Sequence, residues 1–130
     1  MDKNRISPDL ITQLKEGEVF VFGSNAQGLH FGGAARVAVN RFGALMGQGE
    51  GLQGQSYAIP TMEGPESMKQ AVERFCAFAQ EHPELTFLVT AIGCGIAGYT
   101  PQDVAPLFQE AARLDNVCLP ASFWAVLDKQ

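Results

Sequence analysis

The sequence predicts an α/β fold in which strands and helices alternate along the chain. Two apolar runs rich in β-branched and aromatic residues, Glu18–Phe22 and Leu85–Ile92, are typical of buried strands. A strand, a glycine-rich loop and a helical pattern follow one another twice, once near each end of the chain. Such alternation favours parallel strands covered by helices. Both loops are therefore expected at the carboxyl edge of one sheet, where open α/β sheets bind ligands.

The first unit occupies the first third of the chain. Asp9–Glu16 fits either a short amphipathic helix or a first strand, and Gly17 ends it. Glu18–Phe22 is then predicted to be a central strand. The loop Gly23–Gly33, with four glycines, leads into a helix predicted over Ala34–Phe42.

The middle of the chain is less regular. Gly43–Gly54 contains five glycines and has too little apolar periodicity for a regular element, so we expect a mobile or ligand-ordered loop. Ser56–Pro60 is predicted to be a short strand. Pro65–Gln80 is predicted to be a helix, because a proline opens it and apolar residues recur at helical spacing.

The second unit begins with the strand predicted over Leu85–Ile92. Three glycines follow in the loop Gly93–Tyr99, and Thr100 is placed to cap a helix that starts at Pro101. We expect this helix to continue to about Leu114. The remaining predicted elements are a strand at Asn116–Leu119 and a terminal segment at Phe123–Leu127.

Composition restricts the possible functions. We expect the 130 residues to form a single domain, residues 1–130. A net charge of −5 argues against an extended nucleic-acid surface and against an anionic membrane as partner. The N-terminal sequence lacks the apolar core of a signal peptide, and no run is long enough to span a membrane. A cytoplasmic protein is expected.

The cysteines indicate neither disulfides nor a metal centre. Cys76, Cys94 and Cys118 are odd in number and have no metal-ligand spacing, and the only histidines are His30 and His82. We expect reduced thiols, no metal site and no cofactor.

The loop Gly93–Tyr99 has the features of an anion site. A strand that ends in glycines and feeds a capped helix directs free backbone N–H groups and the positive end of the helix dipole at one point. The segment Gly93–Gly98 also matches G-x-G-x-x-G, the dinucleotide fingerprint. A Rossmann domain is not favoured, because the strand near Val117 lacks a terminal acid and too little chain remains. The structural alternative is that these glycines only form a tight turn.

Five side chains near the two loops have both a chemical and a structural interpretation. Asn25 could hydrogen-bond a sugar hydroxyl or satisfy loop backbone. His30 could be a general acid or base, or simply an exposed loop residue. Cys94 could be a nucleophile activated by the helix N-terminus, or a small residue that lets backbone approach a ligand. Tyr99 could stack on a base or pack on its helix, and Glu50 could be a catalyst or a solvated carboxylate.

Taken together, these motifs resemble the macro domain, the α/β module that binds ADP-ribose. Phe22-Gly23-Ser24-Asn25 stands where that family has N-A-A-N, and Gly32-Gly33 stand at the end of its glycine run. Gly47–Pro60 is similar to its T-G-E-A segment and the G-Y-x-L-P strand that follows. Ala91–Tyr99 is similar to its S-T-G-I-x-G-Y/F loop. The resemblance extends from about Glu18 to Leu114.

The resemblance implies a small three-layer α/β/α fold with a mixed, mostly parallel sheet. It implies that Gly93–Tyr99 wraps the diphosphate and distal ribose of ADP-ribose, that Asn25 hydrogen-bonds this ribose, and that Asp9 lies near the adenine. The implied partner is an ADP-ribose-like nucleotide or an ADP-ribosylated protein. The residues implied at the ligand are Asp9, Ser24, Asn25, Gly32, Gly33, Ala34, Gly93, Cys94, Gly95, Ile96, Ala97, Gly98 and Tyr99.

The chain departs from the hydrolases of the family. Ala35 stands where one class has an aspartate, and no acid replaces it in Ala34–Phe42. The lysine and aspartate that another class uses are missing from the two loops. Asp9 lies about two residues upstream of the position of the family's adenine-binding aspartate. The sequence therefore favours binding over hydrolysis.

Three hypotheses follow for function. The first is binding of ADP-ribose or a related ribose-phosphate nucleotide. The second is an ADP-ribosyl or ADP-ribose-ester hydrolase, in which Asn25 positions water and His30 or Glu50 transfers a proton. The third is a macro-like fold that acts only through protein contacts.

Overall fold

A computed structural model describes residues 5–129 of the chain. Six strands form one sheet in the order β1-β6-β5-β2-β4-β3. The strands are β1 (Ile6–Ser7), β2 (Glu18–Ser24), β3 (Gly51–Gln53), β4 (Ser56–Pro60), β5 (Thr86–Val89) and β6 (Val117–Pro120). The helices are α1 (Gly33–Arg41), α2 (Pro65–Glu81), α3 (Pro101–Val104) and α4 (Ala121–Leu127), with 3-10 turns at Ala105–Phe108 and Ala111–Arg113.

The sheet is mixed and mostly parallel, which confirms the predicted fold class. Strand β2 is central and pairs in parallel with both β4 and β5, while β6 pairs in parallel with β5 and with β1. Of these six strands, which lie within residues 5–129, only the edge strand β3 runs antiparallel, against β4. The carboxyl ends of β2, β4 and β5 therefore lie side by side at one edge of the sheet.

Alternating side chains of the strands pack into two cores, one on each face of the sheet. On β2, Val19 and Val21 belong to the core covered by α2, α3 and α4, and Phe20 and Phe22 to the core covered by α1. Helices thus cover both faces, and the arrangement has three layers, α/β/α. The stripe predicted to be buried on α2 contains Met68, Ala71, Val72, Phe75, Phe78 and Ala79, and all of these except the partly buried Phe78 are buried.

Four local predictions were wrong. The helix predicted to reach Leu114 ends as an α-helix at Val104, because Pro106 lacks the N–H that would continue it, and 3-10 turns follow. Asp9–Glu16 forms neither helix nor strand, and the first strand is Ile6–Ser7. Gly43–Gly54, which was predicted to lack regular structure, contains the strand β3. The strand predicted to reach Ile92 ends at Val89.

In the part of the chain that the structure describes, no helix is both long and apolar enough to cross a bilayer. Over the same residues, no group of three or more histidine, cysteine or acidic side chains is arranged to hold a metal ion.

Candidate functional site

A cleft of about 420 Å³ opens at the carboxyl edge of the sheet. We call it the main cleft. Its lining residues come from the loop after β2 together with the start of α1 (Gly23 to Ala35), from Thr61 and Met62 after β4, and from the loop after β5 (Thr90 to Ala97). The parallel register of β2 with its two neighbours brings these loops together, as both glycine-loop units predict.

The first turn of α1 supplies backbone donors to the main cleft. Gly32 precedes the helix in an extended conformation, no side chain caps it, and Arg36 is the first residue whose N–H bonds back, to the Gly32 carbonyl. The N–H groups of Gly33, Ala34 and Ala35 are left without a helical acceptor. These residues line the cleft, and no acidic side chain lies in the turn. A helix start of this kind attracts an anion.

The loop after β5 supplies a second set of donors. A tight turn is closed by Tyr99 N–H to the Gly93 carbonyl (2.9 Å) and by Gly98 N–H to the Gly95 carbonyl (3.0 Å). Within residues 5–129, no backbone bond engages the N–H groups of Gly95, Ile96 and Ala97, and all three residues line the main cleft. Successive free N–H groups in such a turn form an anion-binding concavity.

The hydroxyl groups of the main cleft are already used as donors. Ser24 donates to the Gly49 carbonyl, Thr61 to the Ser24 carbonyl (3.3 Å) and Thr90 to the Val21 carbonyl (2.8 Å). Among the described residues that line this cleft, none has a titratable side chain. Its polar chemistry is therefore that of uncharged backbone donors, which suits a phosphate ligand in an acidic protein.

A second cleft, of about 460 Å³, adjoins the main cleft and shares Ala34, Thr90 and Ala91 with it. We call it the side cleft. It lies between the segment that follows β1, the outer part of α1 and the start of α4. Asp9 and Arg41 supply its charged side chains. We call the two adjoining clefts together the groove.

Most of the residues that the sequence implies at the ligand meet in this groove. The structure brings together Ser24, Asn25, Gly32, Gly33, Ala34, Gly93, Gly95, Ile96 and Ala97 in the main cleft, and it places Asp9 in the side cleft.

Asn25 lines the main cleft while its amide holds the loop. Its Oδ1 accepts the N–H of Leu29 (2.9 Å), and its Nδ2 donates to the carbonyl of the same residue (3.1 Å). One amide hydrogen and one oxygen lone pair remain for a ligand. The structure therefore bears out the interpretation that Asn25 satisfies loop backbone, and the sugar contact stays a prediction.

The structure does not bring His30 and Glu50 to either cleft. His30 is 3% exposed, packs edge-on against Phe22, and lies 3.0 Å from the Gln48 carbonyl through Nε2. His30 is therefore a buried residue that supports the loop, and the expectation of an exposed loop residue was wrong. Both carboxylate oxygens of Glu50 accept hydrogen bonds from Arg74 (2.6 and 2.8 Å).

Cys94, Gly98 and Tyr99 also lie outside the lining of the main cleft. Burial raises the pKa of the Cys94 thiol and nearby Asp103 raises it further, so the environment favours the neutral thiol over a reactive thiolate. Tyr99 lines a separate depression with Lys69 on the α2 side. Thr100 caps α3 as predicted, and it forms a capping box with Asp103.

Several lining residues were missed by sequence reasoning. Thr61 and Met62 follow β4, whose loop carries no glycine motif at these positions, and Leu29 and Phe31 lie inside the first loop but have no polar group. The available signal was positional: β4 ends at the same sheet edge as β2, so the residues after it must reach the same cleft.

Compared with protein-family models, with curated proteins and with solved structures, the chain shows no match.

Proposed function

We propose that this protein binds ADP-ribose or a related ribose-phosphate nucleotide in the groove formed by the two clefts. The observation that carries the proposal is the convergence of two sets of free backbone N–H groups on the main cleft, at the start of α1 and in Gly95–Ala97. Neutral donors from a helix start and a glycine turn bind phosphate without lysine or arginine.

The shape of the groove fits a ligand with two ends. The phosphates lie between Gly33 and Gly95, with the distal ribose in the main cleft near Asn25. The adenosine half extends past Ala34 into the side cleft, towards Asp9. This placement follows the macro-domain motifs, and the adjacency of the two clefts supports it.

The lining of the main cleft favours binding over hydrolysis. Acid–base catalysis needs a titratable group within hydrogen-bond reach of the reacting atoms, and the described residues that line this cleft include none. His30 is buried beneath the loop and Glu50 is paired with Arg74. Binding without turnover is therefore the function that we propose.

Calorimetric titration with ADP-ribose, AMP, NAD and ribose 5-phosphate tests the proposal. We expect micromolar binding of ADP-ribose, at least tenfold weaker in Gly95→Glu. A Cβ at Gly95 meets no protein atom within 4 Å, so the variant should fold while its carboxylate repels the phosphates. Gln70→Glu adds the same charge on α2, outside both clefts, and should bind normally.

Variants of Asn25 separate its two roles. Asn25→Ala removes both bonds to Leu29, whereas Asn25→Asp keeps the acceptor for the Leu29 N–H. We expect weaker binding in both variants if the side chain contacts the ligand, and a smaller loss of melting temperature in Asn25→Asp, which loses only the bond to the Leu29 carbonyl. Full affinity in Gly95→Glu, or no binding of any of the four compounds, would contradict the proposed function.

A further inference from the structure

The mouth of the main cleft is apolar and exposed. Eight large apolar side chains are exposed in the part of the chain that the structure describes, and five of them line one of the two clefts. Four belong to the main cleft: Leu29 (44% exposed), Phe31 (67%), Met62 (48%) and Ile96 (84%). We call these four the apolar rim. Exposed apolar groups gathered at one cleft mark a binding surface.

The apolar rim comes from all three loops of the cleft. Leu29 and Phe31 lie in the loop before α1, Met62 follows β4, and Ile96 lies in the turn that carries the free N–H groups. The rim and the N–H groups that are proposed to bind phosphate therefore line the same cleft. A group attached to the ligand beyond its phosphates would contact these side chains.

From this geometry we propose that the ligand carries a planar ring on its distal ribose, and that the ring packs against Phe31 within the apolar rim. The inference rests on the proposed function and specifies its ligand class as a dinucleotide or other ring-substituted ADP-ribose. Phe31 is the selectivity residue, because an exposed phenyl ring offers a face for stacking.

The surroundings of the rim favour a ring over a charged or strongly polar group. No titratable side chain lines the main cleft within residues 5–129. The carboxylate nearest in sequence, Glu63, accepts the N–H of Ala26 (2.8 Å). The hydroxyls of Ser24, Thr61 and Thr90 donate to backbone carbonyls. A charged terminal group would find no partner here, whereas a ring would cover apolar surface that is otherwise exposed to water.

The test compares ADP, ADP-ribose, NAD⁺ and NADH by calorimetry. NADH is ADP-ribose with an uncharged ring on the distal ribose, and NAD⁺ carries the corresponding ring with a positive charge, so the comparison separates the ring from its charge. We expect NADH to bind about threefold to tenfold more tightly than ADP-ribose, as one ring contact with Phe31 provides, and NAD⁺ to gain less. Phe31→Leu should abolish that advantage, Phe31→Tyr should retain it, and neither should change the affinity for ADP.

Two further measurements exclude a merely structural role of Phe31. The ring protons of bound NADH should shift upfield in the NMR spectrum of the wild type and of Phe31→Tyr, but not of Phe31→Leu. Leu45→Ala removes an apolar side chain of similar exposure (56%) that lies outside both clefts. It should leave all four affinities unchanged.

The outcomes distinguish this inference from the proposed function. Binding of ADP-ribose with no gain for NAD⁺ or NADH would overturn the inference alone, and binding of none of the four compounds would overturn both. Equal affinities for ADP-ribose and NADH, combined with tighter binding of an ADP-ribosylated protein, would show that the apolar rim contacts a polypeptide and not a ring. If NADH still bound more tightly than ADP-ribose in Phe31→Leu, Phe31 would not be the residue that selects the ring.

Discussion

The glycines in and near the main cleft are present for different physical reasons. Gly32 is extended (φ −150°), Gly95 is not among the glycines with positive φ, and a Cβ added at either would meet no protein atom within 4 Å. The backbone therefore does not require glycine there, and the missing side chains leave space in the cleft. At Gly49, by contrast, a Cβ would collide with the Asn25 and Ala26 backbone.

Alanine substitutions should separate these two kinds of glycine. Gly95→Ala should leave the free energy of unfolding unchanged or raise it by up to about 1 kcal/mol, because it restricts the unfolded chain without strain. Gly49→Ala should lower it by about 2 kcal/mol or more, because loop backbone must move. Urea unfolding of both variants measures the difference. If both variants lost the same unfolding free energy, glycine would be required at position 95 by the fold. The absence of a side chain there would then no longer indicate space for a ligand.

Tyr57 couples stability to alkaline pH. It is 4% exposed, and burial, reinforced by Glu50, raises its pKa to about 12. The unfolded tyrosine titrates near 10. Since the folded pKa is higher, the folded state favours the protonated phenol. The resulting stabilisation is complete below about pH 10 and is lost as the pH rises towards 12.

Removal of the Tyr57 hydroxyl group tests this linkage. Between pH 9 and pH 11.5, the unfolding free energy of the wild type should fall by about 2 kcal/mol more than that of Tyr57→Phe. Taking the difference cancels the other groups that titrate in this range. Denaturant unfolding of both proteins at the two pH values is the measurement, and parallel curves would refute the linkage.

At the scale of elements, the segment Gly43–Gly54 shows why local patterns were insufficient. Its order comes from side-chain bonds to backbone and not from periodicity. Gln53, 3% exposed, accepts the Leu45 N–H (2.7 Å) and donates to the carbonyls of Gln48 (3.1 Å) and Gly51 (3.3 Å). Ser24 and His30 reach the segment from the loop of the main cleft. A glycine-rich sequence does not reveal such partners.

Gln53→Ala should loosen this segment and the loop that it supports. Three bonds of a buried side chain are lost, so we expect the unfolding free energy to fall by about 2–4 kcal/mol. Hydrogen exchange should show protected amides at Leu45 and Gly47 in the wild type without ligand, and faster exchange in the variant.

Gln55→Ala is the matched control. Its side chain is exposed and donates to the carbonyls of Lys15 and Glu18 over 3.2 and 3.3 Å, so its loss should cost less than about 1 kcal/mol. Rapid exchange at Leu45 and Gly47 in the free wild type would instead support the mobile loop that the sequence predicts.

For the whole molecule, the sequence predicted what depends on neighbours along the chain. The central strand, α1, α2 and the capped start of α3 follow from periodicity, proline and capping. The short edge strands β1 and β3 were missed, because two or three residues carry no periodic pattern; the partner of β1 also lies far away in sequence, whereas β3 pairs with the adjacent β4. The same limit applies to the site: both glycine loops were found, but the side-chain partners of His30 and Glu50 depend on tertiary contacts.

The joined clefts make a prediction that belongs to the whole molecule. Adenosine, which lacks phosphate, should occupy the side cleft, and ribose 5-phosphate should occupy the main cleft. Two-dimensional NMR should then show adenosine shifting amides near Asp9 and Val37, and ribose 5-phosphate shifting those of Gly33 and Gly95. The two should bind together without competition, because the clefts share walls but enclose different volumes.

ADP-ribose should displace both fragments, because in the proposed placement it occupies both clefts. Gly95→Glu should abolish binding of ribose 5-phosphate and leave that of adenosine intact, so one variant reports on each cleft separately. Competition between adenosine and ribose 5-phosphate would mean that a single cleft takes either fragment. In that case the protein would bind one end of a nucleotide, and Asp9 would have no part in recognising it.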